Sequence, residues 1–169
     1  WANRFGRLVA ADLETLSSLA ESEVGKPHWE TITAEVMPLI ASCRWHARRG
    51  GRILKDRRLP GRPWWLLGQR GLVRRVPLGR VGIIGTWNYP IQLLGIQIVQ
   101  AVVGGNQVVV KPSERSPKTQ RRLIELAWAA GLSREDLVVM SSDRMAGGRL
   151  LQEPHLDHVV FTGSTAVGT

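Results

Sequence analysis

The sequence predicts an α/β fold, in which a partial doubly wound parallel sheet is preceded by an N-terminal helical arm. Three observations support this prediction. From residue 81 onward, short apolar segments alternate with helical segments, an order typical of parallel strands joined by crossover helices. The short segments are rich in β-branched residues, as expected of strands covered on both faces. In the first third of the chain, apolar residues recur at helical spacing instead.

Two helices are predicted in the arm. The first covers residues 8–21, where leucines and alanines recur at mixed helical spacing, and Gly25 and Pro27 end it. The second covers residues 28–55, with Pro38 as a candidate kink. The arm is therefore expected to pack as two amphipathic helices.

An extended segment and four strands follow the arm. Residues 69–81 alternate well enough to be extended, with Pro77 and Gly79 marking a turn or an edge. The strands are predicted at 80–85, 106–113, 136–141 and 156–164. The helices between them are predicted at 90–105, 116–131 and 143–153. The second of these helices has Ser116 as candidate N-cap and Gly131 as its C-terminal stop.

Polar residues occupy the turns after three of these strands: GTWN (85–88), KPSE (111–114) and TGST (162–165). Because the carboxyl ends of parallel strands share one edge, these turns are expected to lie together. Backbone amides in the third turn, at the start of a helix, suit an anion such as a pyrophosphate. Lys111 and Glu114 suit a ribose diol. The usual G-x-G-x-x-G fingerprint is absent, and glycines at strand ends are often only turn residues.

Several site classes are disfavoured by the sequence. The only cysteine, Cys43, excludes an internal disulfide and indicates a reducing compartment, the cytoplasm. It lies on a predicted helix, which favours a packed structural thiol over a reactive one. No apolar run reaches about 18 residues, so no membrane segment is predicted. The four histidines show no ligand-like clustering with Cys or acids, and Pro154 and the strand that follows disfavour a helical metal pair at His155 and His158, so no metal site is predicted either.

Three ordered motifs indicate a family: GTWNYP (85–90), GGNQVVVKPSERSP (104–117) and HLDHVVFTGSTAVG (155–168). They are similar to the motifs P-W-N-[FY]-P, G-N-x-V-V-x-K-P-[AS]-E and F-T-G-S-x-x-x-G of the aldehyde dehydrogenase superfamily. The upstream segment EVGKPHWETITAEV (23–36) resembles the early helical segment of that family. The resemblance covers the chain from about residue 8 to its end.

The resemblance implies a modified, aldehyde dehydrogenase-like Rossmann domain that binds NAD, with NADP as the alternative. Asn88 would place its side-chain amide in the oxyanion hole and stabilise the alkoxide that forms when a thiolate attacks an aldehyde. Backbone groups of Gly85, Thr86 and Trp87 would line the nicotinamide side. The aldehyde would be the substrate, and the intact protein would be a homo-oligomer.

The resemblance also implies an adenosine ribose site at Lys111 and Glu114, with Ser113 beside them. The pyrophosphate would face the last turn and the helix that follows it, at Gly163, Ser164, Thr165 and Gly168. A carboxylate at Glu114 favours NAD, because it accepts a hydrogen bond from the ribose 2′-hydroxyl and repels a 2′-phosphate. The adjacent Arg115 would weaken this preference.

Three parts of the chain follow from the resemblance: an N-terminal helical segment with a basic loop (1–70), the start of an oligomerisation hairpin (71–80) and an incomplete NAD(P)-binding domain (81–169). Thr86 and Ala166 depart from the family, which usually has proline and an acid at these positions. The chain starts and stops as a piece of a longer protein would. The family's catalytic cysteine and general-base glutamate lie downstream of F-T-G-S, so the isolated chain is expected to be inactive.

The charge of the chain leaves an alternative function open. The net charge is +9, and residues 44–80 alone contribute +11. Arginines with Trp45, Trp64 and Trp65 are a combination that can bind a nucleic-acid backbone and stack bases. We favour a solvated helix face followed by a loop whose tryptophans pack on the body of the protein or on another subunit, and no nucleic acid as partner, because no nucleic-acid-binding motif is present. The alternative is a non-catalytic nucleotide-binding or nucleic-acid-binding module.

Overall fold

The computed structural model describes residues 1–61, 63–66 and 68–164, and of Leu66 only the backbone. The arm contains α1 (Ala2–Ala11), α2 (Leu13–Val24), α3 (His28–Glu30), a π-helical segment (Thr31–Val36) and α4 (Met37–Leu54). The connection contains β1 (Arg57–Arg58), a 3₁₀ turn (Trp64–Leu66) and β2 (Leu72–Val73). The remainder contains β3 (Arg80–Ile84), α5 (Gln92–Val103), β4 (Gln107–Lys111), α6 (Pro117–Ala129), β5 (Leu137–Val139), α7 (Met145–Leu151) and β6 (His158–Phe161).

Strands β3 to β6 form one parallel sheet in the order β5-β4-β3-β6. The chain moves outward from β3 to β4 and β5 and then returns to the other side of β3, where Val81 pairs with both Val108 and His158. The strand order therefore reverses between β3 and β6. Such a switch point opens a crevice at the carboxyl ends of the two strands, where α/β proteins bind ligands. The predicted doubly wound parallel sheet is confirmed.

The core lies between the sheet and the helices of the arm and the crossovers. Close helix packing at α4 depends on small residues. A Cβ added to Gly95 of α5 would lie 2.5 Å from a methyl carbon of Leu39, and one added to Gly6 of α1 would lie 2.9 Å from Cβ of Cys43. The arm is thus packed directly on the sheet domain, with Leu39 and Cys43 fully buried.

The predicted first helix is wrong in its extent, because two helices meet at Asp12. This residue leaves helical geometry, with φ of −100° and ψ of 14°. Its carboxylate accepts hydrogen bonds from Arg122 on α6, at 2.8 Å from Nε and 2.6 Å from a terminal nitrogen. A partner 110 residues away leaves no local signal, and Gly6, a poor helix former, hides the beginning of α1.

The second predicted helix is confirmed as one helical run from His28 to Leu54, but its middle is π-helical. The π-helical segment ends just before Pro38, which lacks the N–H that a regular helix needs. Within the segment 69–81, predicted to be extended, Leu72–Val73 forms a strand that pairs with Arg57–Arg58 in an antiparallel ladder, and Arg80 begins β3. Two arginines carry no apolar pattern, so the sequence did not predict β1.

Carboxylates of the arm cap two of the crossover helices, α5 and α6. Glu35 accepts hydrogen bonds from the backbone N–H of Ile91 (2.7 Å) and Gln92 (3.1 Å) at the start of α5. Glu23 accepts hydrogen bonds from the N–H of Lys118 and Thr119, both at 2.8 Å, at the start of α6. These N–H groups have no partner within their own helices, and the helix dipole favours a negative charge there.

Ser116 occupies the predicted N-cap position of α6, but its side chain makes no capping hydrogen bond. Its hydroxyl oxygen is buried without a partner among the described residues. The capping oxygens come from Glu23 instead, which the local sequence does not reveal. Gly131 has a φ of 106° just past α6, as its predicted role in ending the helix requires.

Replacement of Glu23 by alanine removes the capping oxygens of α6 and the acceptor of the Thr119 hydroxyl, which lies 2.7 Å away. We expect the free energy of unfolding of the intact protein to fall by about 1–2 kcal/mol in urea denaturation. Glu125→Ala is the matched control, since Glu125 pairs with Arg121 on the surface of α6 and is expected to cost about 0.5 kcal/mol or less. Equal losses for the two variants would contradict the capping role.

Candidate functional site

A groove of about 960 Å³ lies at the switch point, between the turns after β3, β4 and β6 and the helix α7. The predicted site residues that the structure describes all line it: Gly85, Thr86, Trp87, Asn88, Lys111, Ser113, Glu114, Gly163 and Ser164. Thr165 and Gly168 lie outside the described residues. The parallel register, which pairs Ile84 with both Lys111 and Phe161, brings the three turns to one edge.

Asn88 is exposed in the groove wall, and its two amide atoms have different surroundings. Oδ1 accepts a hydrogen bond from the backbone N–H of Tyr89 at 3.1 Å. Nδ2 has no hydrogen-bond partner in the part of the chain that the structure describes. The backbone carbonyl of Asn88 accepts a hydrogen bond from Nζ of Lys26 at 2.6 Å. The turn is therefore anchored, while an N–H donor of the side chain is free for a ligand oxygen.

Lys111 and Glu114 form an ion pair at the edge of the groove. Nζ of the buried Lys111 lies 2.7 Å from Oε2 of Glu114, which is 49% exposed. The hydrogen bond from Lys111 is the main reason that the pKa of Glu114 is lowered, and Arg144 adds to it. Glu114 is therefore an ionised acceptor at neutral pH, directed by a buried cation and still accessible to a ligand.

Gln120 of α6 joins the turns after β3 and β4. Its side chain is fully buried; Oε1 accepts a hydrogen bond from the N–H of Ser113, and Nε2 donates to the carbonyl of Thr86, both at 2.7 Å. A Cβ on Gly85 would collide with this amide, so glycine at that position makes room for it. One side chain thereby fixes the backbone of both turns relative to each other.

The sequence model of the aldehyde dehydrogenase family matches residues 2–169. The chain belongs to the aldehyde dehydrogenase family. The resemblance seen in the three motifs is thereby confirmed. An N-succinylglutamate 5-semialdehyde dehydrogenase of Sphingopyxis alaskensis is 34% identical over 165 residues, which cover 98% of this chain and 33% of that relative.

Solved structures agree with this assignment. An indole-3-acetaldehyde dehydrogenase in its apo form superposes with a TM-score of 0.87 at 32% identity, over 98% of this chain and 38% of that one. An NADP-dependent enzyme of E. coli superposes with a TM-score of 0.88 at 27% identity, over 99% of this chain and 34% of that one. The chain thus spans about a third of the length of the relatives that it matches.

In the turn after β3, this aldehyde dehydrogenase chain differs from the family pattern at Thr86 and keeps the tryptophan of that pattern at Trp87. The hydroxyl of Thr86, where the family usually has proline, is buried and has no partner among the described residues. The indole of Trp87 is half exposed, and the Arg115 guanidinium lies 4.9 Å from its centroid. This cation–π contact places a positive charge beside Glu114 at the groove.

Sequence reasoning missed the groups that support the groove from behind. Gln120 and Lys26 act through partners 34 and 62 residues away in the chain, at Thr86 and Asn88. Neither belongs to a motif that indicates such a role. Lys26 does lie within the segment 23–36 that resembles the family, which is the only signal that the sequence offers for it.

The structure also bears on the reactivity of the cysteine, on metal binding and on membrane crossing. Cys43 is fully buried in the core, and burial raises the pKa of its thiol to about 11, so the predicted structural thiol is confirmed. Within the described ranges, no group of three or more His, Cys, Asp and Glu side chains is arranged to hold a metal ion. Among the described helices, none combines the length and apolar character that crossing a membrane requires.

Replacement of Gln120 by leucine keeps a similar volume but leaves the N–H of Ser113 and the carbonyl of Thr86 unpaired. We expect the free energy of unfolding to fall by about 2–4 kcal/mol, since each unsatisfied buried group costs about 1–3 kcal/mol. Urea denaturation of the intact protein measures this loss. Gln100→Leu, on the exposed side of α5, is the matched control; a similar loss there would show that the bridge is not the cause.

Proposed function

We propose that this chain is the N-terminal, cofactor-binding portion of an NAD(P)-dependent aldehyde dehydrogenase that oxidises an aldehyde to a carboxylic acid. The observation that supports this best is the free amide donor of Asn88 in the switch-point groove, which the Lys111–Glu114 pair also lines. Membership of the family, matched over residues 2–169, supports the same reaction class.

The groove has the properties that a dinucleotide needs. Its volume of about 960 Å³ is near the upper end of ordinary small-molecule sites, about 300–1,000 Å³. Lys111 and Glu114 offer a donor and an ionised acceptor to the adenosine ribose, with Ser113 beside them. Gly163 and Ser164, continued by Thr165 and Gly168, are proposed to face the pyrophosphate. NAD or NADP, when bound, takes the hydride that the substrate loses.

Asn88 is proposed to stabilise charge on the substrate. When a thiolate adds to the aldehyde carbon, the carbonyl oxygen becomes an alkoxide, and a donor already fixed in place stabilises it without reorganisation. Nδ2 of Asn88 is such a donor. The thiolate does not come from this chain, because Cys43 is its only cysteine and is buried as a thiol. We place the nucleophile and the base that activates water in further sequence of the intact enzyme.

NAD is proposed as the preferred cofactor, with NADP as the alternative. The ionised Glu114 would repel a 2′-phosphate, whereas Arg115 and Arg144, which also line the groove, would attract it. The hydrogen bond from the buried Lys111 fixes the position of the Glu114 carboxylate, and on this ground we rank its effect on cofactor choice above that of the two arginines. The preference is therefore expected to be moderate.

The remaining proposals concern the intact protein. We propose an oligomer, with the segment 71–80 at the interface, because Leu72, Val76 and Leu78 are at least half exposed there. A cytoplasmic location is proposed from the single free thiol. The nucleic-acid alternative is not adopted, because the basic stretch 44–80 lies within the region that the family model matches.

Replacement of Asn88 by alanine in the intact enzyme is expected to lower kcat by about 100- to 1,000-fold, the usual effect of losing one oxyanion donor. The KM for NAD is expected to change little, because the side chain is assigned to the substrate oxygen. Asn88→Asp is the matched variant: it keeps the acceptor of the Tyr89 N–H but loses the donor and adds a negative charge. Steady-state rates near those of the wild type in either variant would overturn the role of Asn88.

Replacement of Glu114 by glutamine keeps the shape and one acceptor oxygen but removes the charge. We expect the ratio of kcat/KM for NADP to that for NAD to rise about fivefold, since removing a charge repulsion near the surface is worth about 1 kcal/mol. Glu125→Gln on the surface of α6 is the control and is expected to leave the ratio unchanged. An unchanged ratio in the Glu114 variant would contradict its role in cofactor choice.

A further inference from the structure

Lys26 is a buried cation directed at the turn that bears Asn88. Its side chain is only 7% exposed. Nζ donates to Oε1 of Glu35 at 2.7 Å and to the backbone carbonyl of Asn88 at 2.6 Å. It also lies 3.9 Å from the ring centroid of Tyr89 and 3.7 Å from a carboxylate oxygen of Glu30. A buried ammonium requires such partners, since burial without them is costly.

Glu35 fixes Lys26 relative to the sheet. Its side chain has no exposed surface, and Oε2 is held by the N–H groups of Ile91 and Gln92 at the start of α5. Because α5 begins at Gln92, four residues after Asn88, the carboxylate binds the helix on one side of the turn while the ammonium binds the turn itself. The pair is thus a rigid support for the Asn88–Tyr89 peptide.

This peptide connects Lys26 with the side chain of Asn88. Its carbonyl accepts the hydrogen bond from the ammonium, and its N–H donates to Oδ1 of Asn88. A cation at the carbonyl oxygen polarises the peptide and strengthens the hydrogen bond that its N–H donates. That hydrogen bond engages Oδ1 and leaves Nδ2 as the free donor of a side chain in the groove wall. The hydrogen bond from the Tyr89 N–H to Oδ1 in turn polarises the side-chain amide of Asn88, and this makes Nδ2 a better donor.

We propose that Lys26 and Glu35 are a positioning pair for the oxyanion donor Asn88, an inference that rests on the function proposed above. Lys26 touches neither the substrate nor the cofactor in this arrangement. It acts through the Asn88–Tyr89 peptide, orienting the Asn88 amide and increasing its donor strength. The pair therefore contributes to kcat and not to binding of the dinucleotide.

A double-mutant cycle in the intact enzyme tests this role, with Lys26→Met, Asn88→Ala and the combination of both. Lys26→Met is expected to lower kcat about ten- to thirtyfold, less than loss of the donor itself. Dissociation constants for NAD, measured by equilibrium dialysis, are expected to stay within about twofold. In the Asn88→Ala background, Lys26→Met is expected to lower kcat less than about twofold, because its target is gone.

Arg122→Met is the control for general loosening of the arm. Arg122 also forms an ion pair between the arm and the sheet domain, with Asp12, but it does not line the groove. Its loss is expected to lower stability and leave kcat within about twofold. Lys26→Arg, which keeps the charge, is expected to restore most of kcat. Should Lys26→Met not fold, the neutral pair Lys26→Gln with Glu35→Gln enters the same cycle with the same expected coupling.

The outcomes separate the two proposals. Full activity of Asn88→Ala would overturn the proposed function. A large loss in Asn88→Ala together with independent, multiplying effects of Lys26 and Asn88 variants would leave that function standing and overturn the positioning pair. The positioning pair would also be overturned if Lys26→Met, or the double variant Lys26→Gln with Glu35→Gln, had the same kcat as Arg122→Met.

Discussion

The switch-point groove depends on the ion pair and the hydrogen bonds made by the buried carboxylate of Glu35. This carboxylate lies in the arm, yet it holds the first turn of α5 and the ammonium of Lys26. Taking two charges out of water is costly, and the cost is offset only when each charge is paired and its remaining hydrogen-bonding positions are used. Both conditions are met here, since one oxygen of Glu35 faces the cation and the other accepts two backbone N–H groups.

The groove combines an immobilised backbone with accessible side-chain groups. Gln120 links the turns after β3 and β4, and Lys26 anchors the peptide after Asn88. What remains available is the amide donor of Asn88 and the exposed carboxylate of Glu114. Catalytic electrostatics requires donors whose positions are fixed before the charge develops, because reorganising them would raise the barrier. We therefore propose that the arm is part of the functional unit and not only a covering for the sheet.

Local sequence patterns predicted much of the fold and many of the residues that line the groove. Alternation of strands and helices gave the parallel sheet, and the three motifs gave the groove lining, because strand ends in a parallel sheet meet at one edge. Pairings across the chain escaped prediction: Asp12 interrupts the first helix to meet Arg122 on α6. Likewise, β1 consists of two arginines, and Ser116 occupies a cap position whose oxygens come from elsewhere. A polar residue that pairs with a distant part of the chain leaves no periodic pattern in the sequence, so only the folded structure shows the pairing.

A crystal structure of the intact protein with NAD bound is the most direct test of the groove as a dinucleotide site. The expected result is an adenosine ribose within about 3 Å of Nζ of Lys111 and of a carboxylate oxygen of Glu114, with the nicotinamide ring beside Trp87. The hydrogen bonds from Gln120 to Thr86 and from Lys26 to Asn88 are expected to persist. A dinucleotide bound away from the turns after β3, β4 and β6 would contradict the assignment.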